Sequence, residues 1–308
     1  MPTRFLPLLI ILMLMASFAV PVRADDRLST SAEAAFADGN YAAALDLYVR
    51  LRDTVGKESS KDEKRLEEWA RLAAQVVRCQ TGQGNFEQAV QEYFLMCQVV
   101  PPSKTPLDCI PLPWFIPVDI KVGFRPHEKT AIDRLDPLRF KSPGAPATLL
   151  AAAVLAVSAD NGRRNRGISL LRNLESQYDG AWMPDEVPKT PEARITAVQQ
   201  QAALLATAFL WKQRIPNIRQ SADLLPLRRT LDRLPEPLRA GPYYLYGIAS
   251  RQAGDYEMAV MAWMRLPILH PQESVLRTES LREAAISLEK LGRADQAEKL
   301  RLEAGLVP

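Results

Sequence analysis

The chain has 308 residues, of which 39 are basic, 36 acidic, three cysteine and two histidine. So even a charge balance gives no general electrostatic pull toward nucleic acid. The two histidines, His127 and His270, lie far apart in sequence, and with sparse cysteine they offer little from which to assemble a metal or nucleophile site. No Cys-x-x-Cys, His-Glu-x-x-His, Gly-x-Ser-x-Gly or phosphate-loop pattern occurs. Gly82-Gln83-Gly84 begins like a dinucleotide fingerprint, but Glu87 holds the third glycine position. The expectation is a non-enzymatic chain with no cofactor, no metal site and no catalytic residues.

Residues 1-24 read as a signal peptide. Arg4 precedes an apolar run from Phe5 to Val20, and Val22 and Ala24 stand three before and one before a cut at Asp25. The alternative is an uncleaved anchor, in which case the segment alone would touch a membrane; its run is short against the roughly 20 residues of a spanning helix. Removing Arg4 and Arg23 with the leader leaves 37 basic residues against 36 acidic. The expected location is therefore the periplasm or cell envelope, with secretion as a further outcome.

Residues 25-100 contain two helix pairs. Leu28 to Ala37 and Tyr41 to Arg52 flank the turn Asp38-Gly39-Asn40, and Leu66 to Thr81 is followed by Gly84-Asn85-Phe86 and a second helix. Glycine can take the positive φ with which a helix ends, and a small residue five positions later lets two helix axes approach. That pairing occurs as Gly39 with Ala44 and Gly84 with Ala89. It recurs as Gly162 with Gly167, Gly254 with Ala259 and Gly292 with Ala297. The polar run from Lys57 to Lys64 reads as a solvated loop or helix start.

Residues 101-146 change character. Ten of the 24 prolines fall here, with Trp114, Phe115, Phe124 and Phe140. Proline opposes a continuous helix, yet the stretch is too apolar for a free linker, so an irregular segment packed on the helices is expected. Cys97 and Cys109 could close a short loop by a disulfide in an oxidising compartment, with one thiol left over. Cys79 reads equally as a small buried residue.

Residues 147-240 read as divergent helical hairpins. Ala147 to Ala159 and Gly167 to Tyr178 flank the break Asp160-Asn161-Gly162, and Ala193 to Gln213 forms a long helix. Ser221 to Leu234 is a helix that Pro226 must delay or kink. Residues 241-308 hold the clearest unit. Tyr243, Tyr246, Gly247, Ala259, Trp263 and Pro271 occupy large, large, small, small, large and proline positions around the turn Gly254-Asp255-Tyr256. In the last unit, Leu281 to Leu302, Arg301 stands where a large apolar residue is expected, as suits an outer face that meets water.

On these residues the chain resembles the tetratricopeptide repeat family. The resemblance implies an all-α fold, a right-handed solenoid of antiparallel helix pairs, whose concave surface is lined mainly by first helices. It implies a scaffold that binds a protein or peptide, with no nucleic-acid partner. Members that clamp a terminal carboxylate place lysine, arginine and asparagine at set positions of first helices. Here those places hold Ser29 and Glu33, Ala74 and Arg78, Ala152 and Ala156, and Tyr244 and Ile248. The residues left to meet a partner are Arg71, Gln75 and Arg78 on one first helix and Tyr244, Ile248 and Arg251 on another. The competing expectation is an envelope-structural or cell-wall polysaccharide-associated spacer.

Overall fold

In a computed structural model the described residues are 24–56, 62–114, 144–180 and 188–305. Most of the leader, the larger part of the proline-rich stretch with His127, Phe115, Phe124 and Phe140, and the loop around Trp182 lie outside them. Among the described residues there are twelve α-helices and no strand.

The helices are α1 (Ala24–Ala37), α2 (Tyr41–Val55), α3 (Glu63–Gly82), α4 (Phe86–Val99), α5 (Ala145–Ala156) and α6 (Asn161–Glu175). They continue as α7 (Pro191–Arg214), α8 (Leu225–Arg233), α9 (Ala240–Gln252), α10 (Tyr256–Leu269), α11 (Ser274–Lys290) and α12 (Ala294–Glu303). Each packs on its neighbour in sequence, and α7 and α9 also pack together.

Turn chemistry sets the pairing. Gly39, Gly84, Gly254 and Gly292 all have φ between +74° and +82°, the left-handed region that L side chains resist. Beyond those turns, Asn40 and Asp255 cap the second helices, accepting from the amides of Ala43 and Met258. The small residue five positions after the glycine is fully buried in every unit with this turn: Ala44, Ala89, Ala259 and Ala297 are each 0% exposed. Gly247 extends the logic, since a Cβ there would sit 2.4 Å from the Trp263 indole. Tyr243, Tyr246, Ala259 and Trp263 are all buried, as their reading as packing residues expects.

The third pair departs from expectation at its turn. Gly162 does not end the first helix; it lies in the first turn of α6, which Asp160 caps by accepting from the Arg163 amide at 2.7 Å. Gly167 keeps the close-packing role. A Cβ there would fall 2.3 Å from the Ala156 nitrogen and 2.6 Å from the Ala152 oxygen, so α5 and α6 approach as only glycine permits. As Pro226 requires, the helix after Ser221 starts late: residues 221–224 are 3-10 and α8 begins at Leu225.

Contacts between distant parts of the chain break the nearest-neighbour pattern. In an open array each unit touches only the next, yet α11 packs against α3, and Ser274 Oγ donates to the Gly82 carbonyl at 3.4 Å. The second helix pair and the last thus meet.

The described start of the proline-rich stretch does pack on the helices. After a 3-10 turn at Pro102–Lys104, residues 105–114 run irregularly with Leu107, Cys109, Leu112 and Trp114 buried. The Tyr93 hydroxyl donates to the Pro106 carbonyl at 3.0 Å, and the buried Lys212 Nζ donates to that of Pro113. The Trp114 ring lies beside Phe209 and so close to Gly241 that a Cβ there would sit 2.1 Å from the indole. No helix among the described residues is long and apolar enough to cross a membrane.

Candidate functional site

Helix α3 is buried along most of its girth. Trp69, Ala73 and Val77 enter the main core, while Leu72, Val76 and Cys79 enter the smaller core shared with α1 and α2. Leu66, Ala70 and Ala74 belong to the main core as well, and with the half-buried Arg78 they form a strip spaced four residues apart and so on one helix face. The irregular segment faces this strip with Val100, Lys104, Pro106 and Asp108, and an open groove of about 260 Å³ lies between them. Lys104 closes one end, donating to Glu67 at 3.0 Å and to Glu63. The hydrogen bond from Lys104 holds the Glu63 carboxyl below the ordinary carboxylate range.

Arg71 lines the groove, is exposed, and has no ion pair or hydrogen bond from its side chain among the described residues. Arg78 does have a partner: its guanidinium meets Asp108 Oδ2 at 2.6 Å. Its Nε is buried without a hydrogen-bond partner among the described residues, as is Oε1 of Gln75 one turn earlier.

Behind the Arg78–Asp108 pair is a second, narrower cleft with about 50 Å³ of free space, formed where α3 meets the start of α11. It contains Arg78, Asp108 and Glu273 among apolar walls that include Trp114 and Leu276. Glu273 occupies the N-cap position of α11, but its side chain makes no capping hydrogen bond. Its carboxyl is pushed up to about 7, chiefly by burial and further by the neighbouring Asp108, while Arg78 opposes the shift.

The structure therefore brings together Arg71 and Arg78, with Gln75 on the same helix, and separates them from the other expected set. Tyr244 is 4% exposed and lies in the core; its carbonyl accepts from the Trp263 indole at 3.1 Å. Its assignment to a partner-facing surface is corrected: the helix turns this tyrosine inward, and the charged groups around its hydroxyl, Glu279, Arg282 and Glu283, belong to α11. Ile248 is half-buried against the same core, and Arg251 pairs with Glu283 and lies 5.2 Å over the Trp263 ring. None of these three lines the groove or the cleft.

The Cys97 to Cys109 bridge is also corrected. All three cysteines are free and buried, and the Cys109 thiol is directed at the Pro106 carbonyl, 3.7 Å away. Burial pushes the Cys79 and Cys97 thiols up to about 12 and Cys109 higher still, which makes them packing residues rather than nucleophiles.

Three contributors were missed from sequence: Lys104, Asp108 and Glu273. Asp108 did leave a signal, as a lone acid in the apolar, proline-rich run around it. Glu273 left none, because its neighbours in space are distant in the chain. His270 is 1% exposed beside Tyr243, and burial lowers its proton affinity. In comparison with known proteins, no family model matches the chain, and neither a curated protein nor a solved structure shows significant similarity to it.

Proposed function

We propose that the chain is an exported, non-enzymatic scaffold of the tetratricopeptide type that binds a protein or peptide in the groove along α3. One observation carries the reading: Arg71, exposed and without an ion-pair partner among the described residues, stands at the rim of a groove floored by Leu66, Ala70 and Ala74. An uncommitted guanidinium beside apolar floor suits a segment that supplies acceptors and buries small side chains. The helix pairs hold this strip rigid, since α3 is packed against α2 and α4. Export rests on the leader-like composition of residues 1-24.

The test is crosslinking in the native envelope followed by mass spectrometry, with wild type and Arg71→Glu compared. A partner captured by wild type and lost from the charge-reversed variant is the expected result. Equal capture by both moves the interaction off the groove, and association with purified cell-wall polymer in place of protein favours a spacer.

A further inference from the structure

The cleft behind Arg78 holds a charge that its surroundings leave unanswered. Arg78 is matched by Asp108 at 2.6 Å. Glu273 has no side-chain hydrogen bond or ion pair among the described residues, although it begins a helix whose free amides a carboxylate ordinarily caps. With both acids ionised, the three groups carry one net negative charge in a narrow, partly buried cleft. An unpaired carboxyl in such a place either keeps its proton or takes up a counter-charge.

The space limits what that counter-charge can be. About 50 Å³ admits a few waters or the head of one side chain, not a folded ligand. The walls include Phe86, Leu107, Leu112, Leu238 and Leu276, which suit the methylene stem of a long side chain with a charged tip. The buried Arg78 Nε finds no acceptor among the described residues, and a peptide carbonyl would supply one. Groove and cleft share Arg78 and Asp108, so a segment lying in the groove passes the mouth of the cleft.

We infer that the cleft receives the cationic head of a lysine or arginine side chain of the bound peptide, with Glu273 as its counter-ion. This rests on the reading of the groove as a peptide site, and names the residue type that the site selects. Because Glu273 titrates near neutrality and Arg78 and Asp108 face it, a cation entering the cleft stabilises the ionised carboxylate and releases a proton.

Isothermal titration of the full chain at pH 7, with N-acetyl-lysine methylamide, N-acetyl-arginine methylamide and the neutral N-acetyl-norleucine methylamide, tests this directly. The basic probes should bind at least about tenfold more tightly than the neutral one. Their heats in phosphate and Tris should differ by the ionisation enthalpy of the released proton. Glu273→Gln, close in shape, should fold as judged by circular dichroism, lose the preference and abolish the proton release; Asp108→Asn supplies a second reduction of negative charge, with weakening expected again. Equal binding of all three probes, binding of none, or a preference unchanged in Glu273→Gln overturns the inference. A partner captured in an Arg71-dependent way while the probes show no charge preference would sink this inference and leave the scaffold standing. Selective probe binding with no captured partner would do the reverse.

Discussion

Arg78 and Asp108 meet at 2.6 Å across the boundary between α3 and the irregular segment, and the pair is shared by a wide groove and a narrower cleft. One ion pair thus ties together a helix of the second unit and the proline-rich stretch, and it faces the last unit through Glu273. Arg78→Met keeps most of the stem but leaves Asp108 without its partner and Glu273 without its favourable neighbour. The expected loss is about 2 kcal/mol, read as a lower urea midpoint at pH 7. A double variant with Asp108→Asn should be less destabilised than the sum of the single changes, because the two residues act as a unit.

Glu273 gives the fold a pH dependence of defined sign. Its proton affinity in the folded chain, near pH 7, is above the ordinary value of 4.5, so the folded state holds the proton more tightly than the unfolded one. The associated stability is fully present below pH 4.5 and is lost as pH rises through 7. Glu273→Gln should therefore be more stable than wild type at pH 8, by on the order of 1–3 kcal/mol, with the difference fading toward pH 4. Parallel denaturant titrations at those two pH values measure it; no difference at pH 8 would place the carboxyl in ordinary solvent.

Two glycine substitutions should fail for different reasons and by different amounts. At Gly39, with φ +74° and nothing within 4 Å of a new Cβ, alanine meets only backbone strain, about 1–2 kcal/mol. At Gly167 the added methyl collides with the backbone of α5, and α5 and α6 must separate, at a cost nearer 3 kcal/mol. Thermal unfolding followed by circular dichroism should rank Gly167→Ala well below Gly39→Ala.

The three thiols should resist alkylation in the folded protein and all react once it is denatured without reductant, because each is buried and free. Counting the modified cysteines by mass spectrometry decides this. A single modified thiol would restore the Cys97 to Cys109 bridge.

How much of this was legible in the sequence depends on distance along the chain. Tyr243, Gly247, Ala259 and Trp263 announced their packing because the helix period and a tight turn bring them together within one unit. The same spacing misled at Gly162, where Asp160 offers a side-chain cap and the glycine is absorbed into the next helix. It misled again at Tyr244, whose place on the first helix of its pair turned out to be buried beside α11. The groove was half visible: Arg71, Gln75 and Arg78 repeat along one helix, but Lys104 and Asp108 come from a segment with no periodicity to read. Nothing local could indicate Glu273, since its neighbours Arg78 and Asp108 reach it only after the second and last units have met.

The junction of α3 with α11 also bears on the order of assembly. Its hydrogen bond joins residues 192 positions apart, whereas each helix pair closes within a few tens of residues. Local hairpins can form as soon as their own sequence is available, but this junction must wait for nearly the whole chain and bears the largest loop-closure cost. During synthesis the far ends of α3 and the Trp114 segment are complete long before α9 and α11 exist to cover them. The cleft thus forms late, so chains truncated before Glu273 should keep their early hairpins yet expose apolar surface around Trp114.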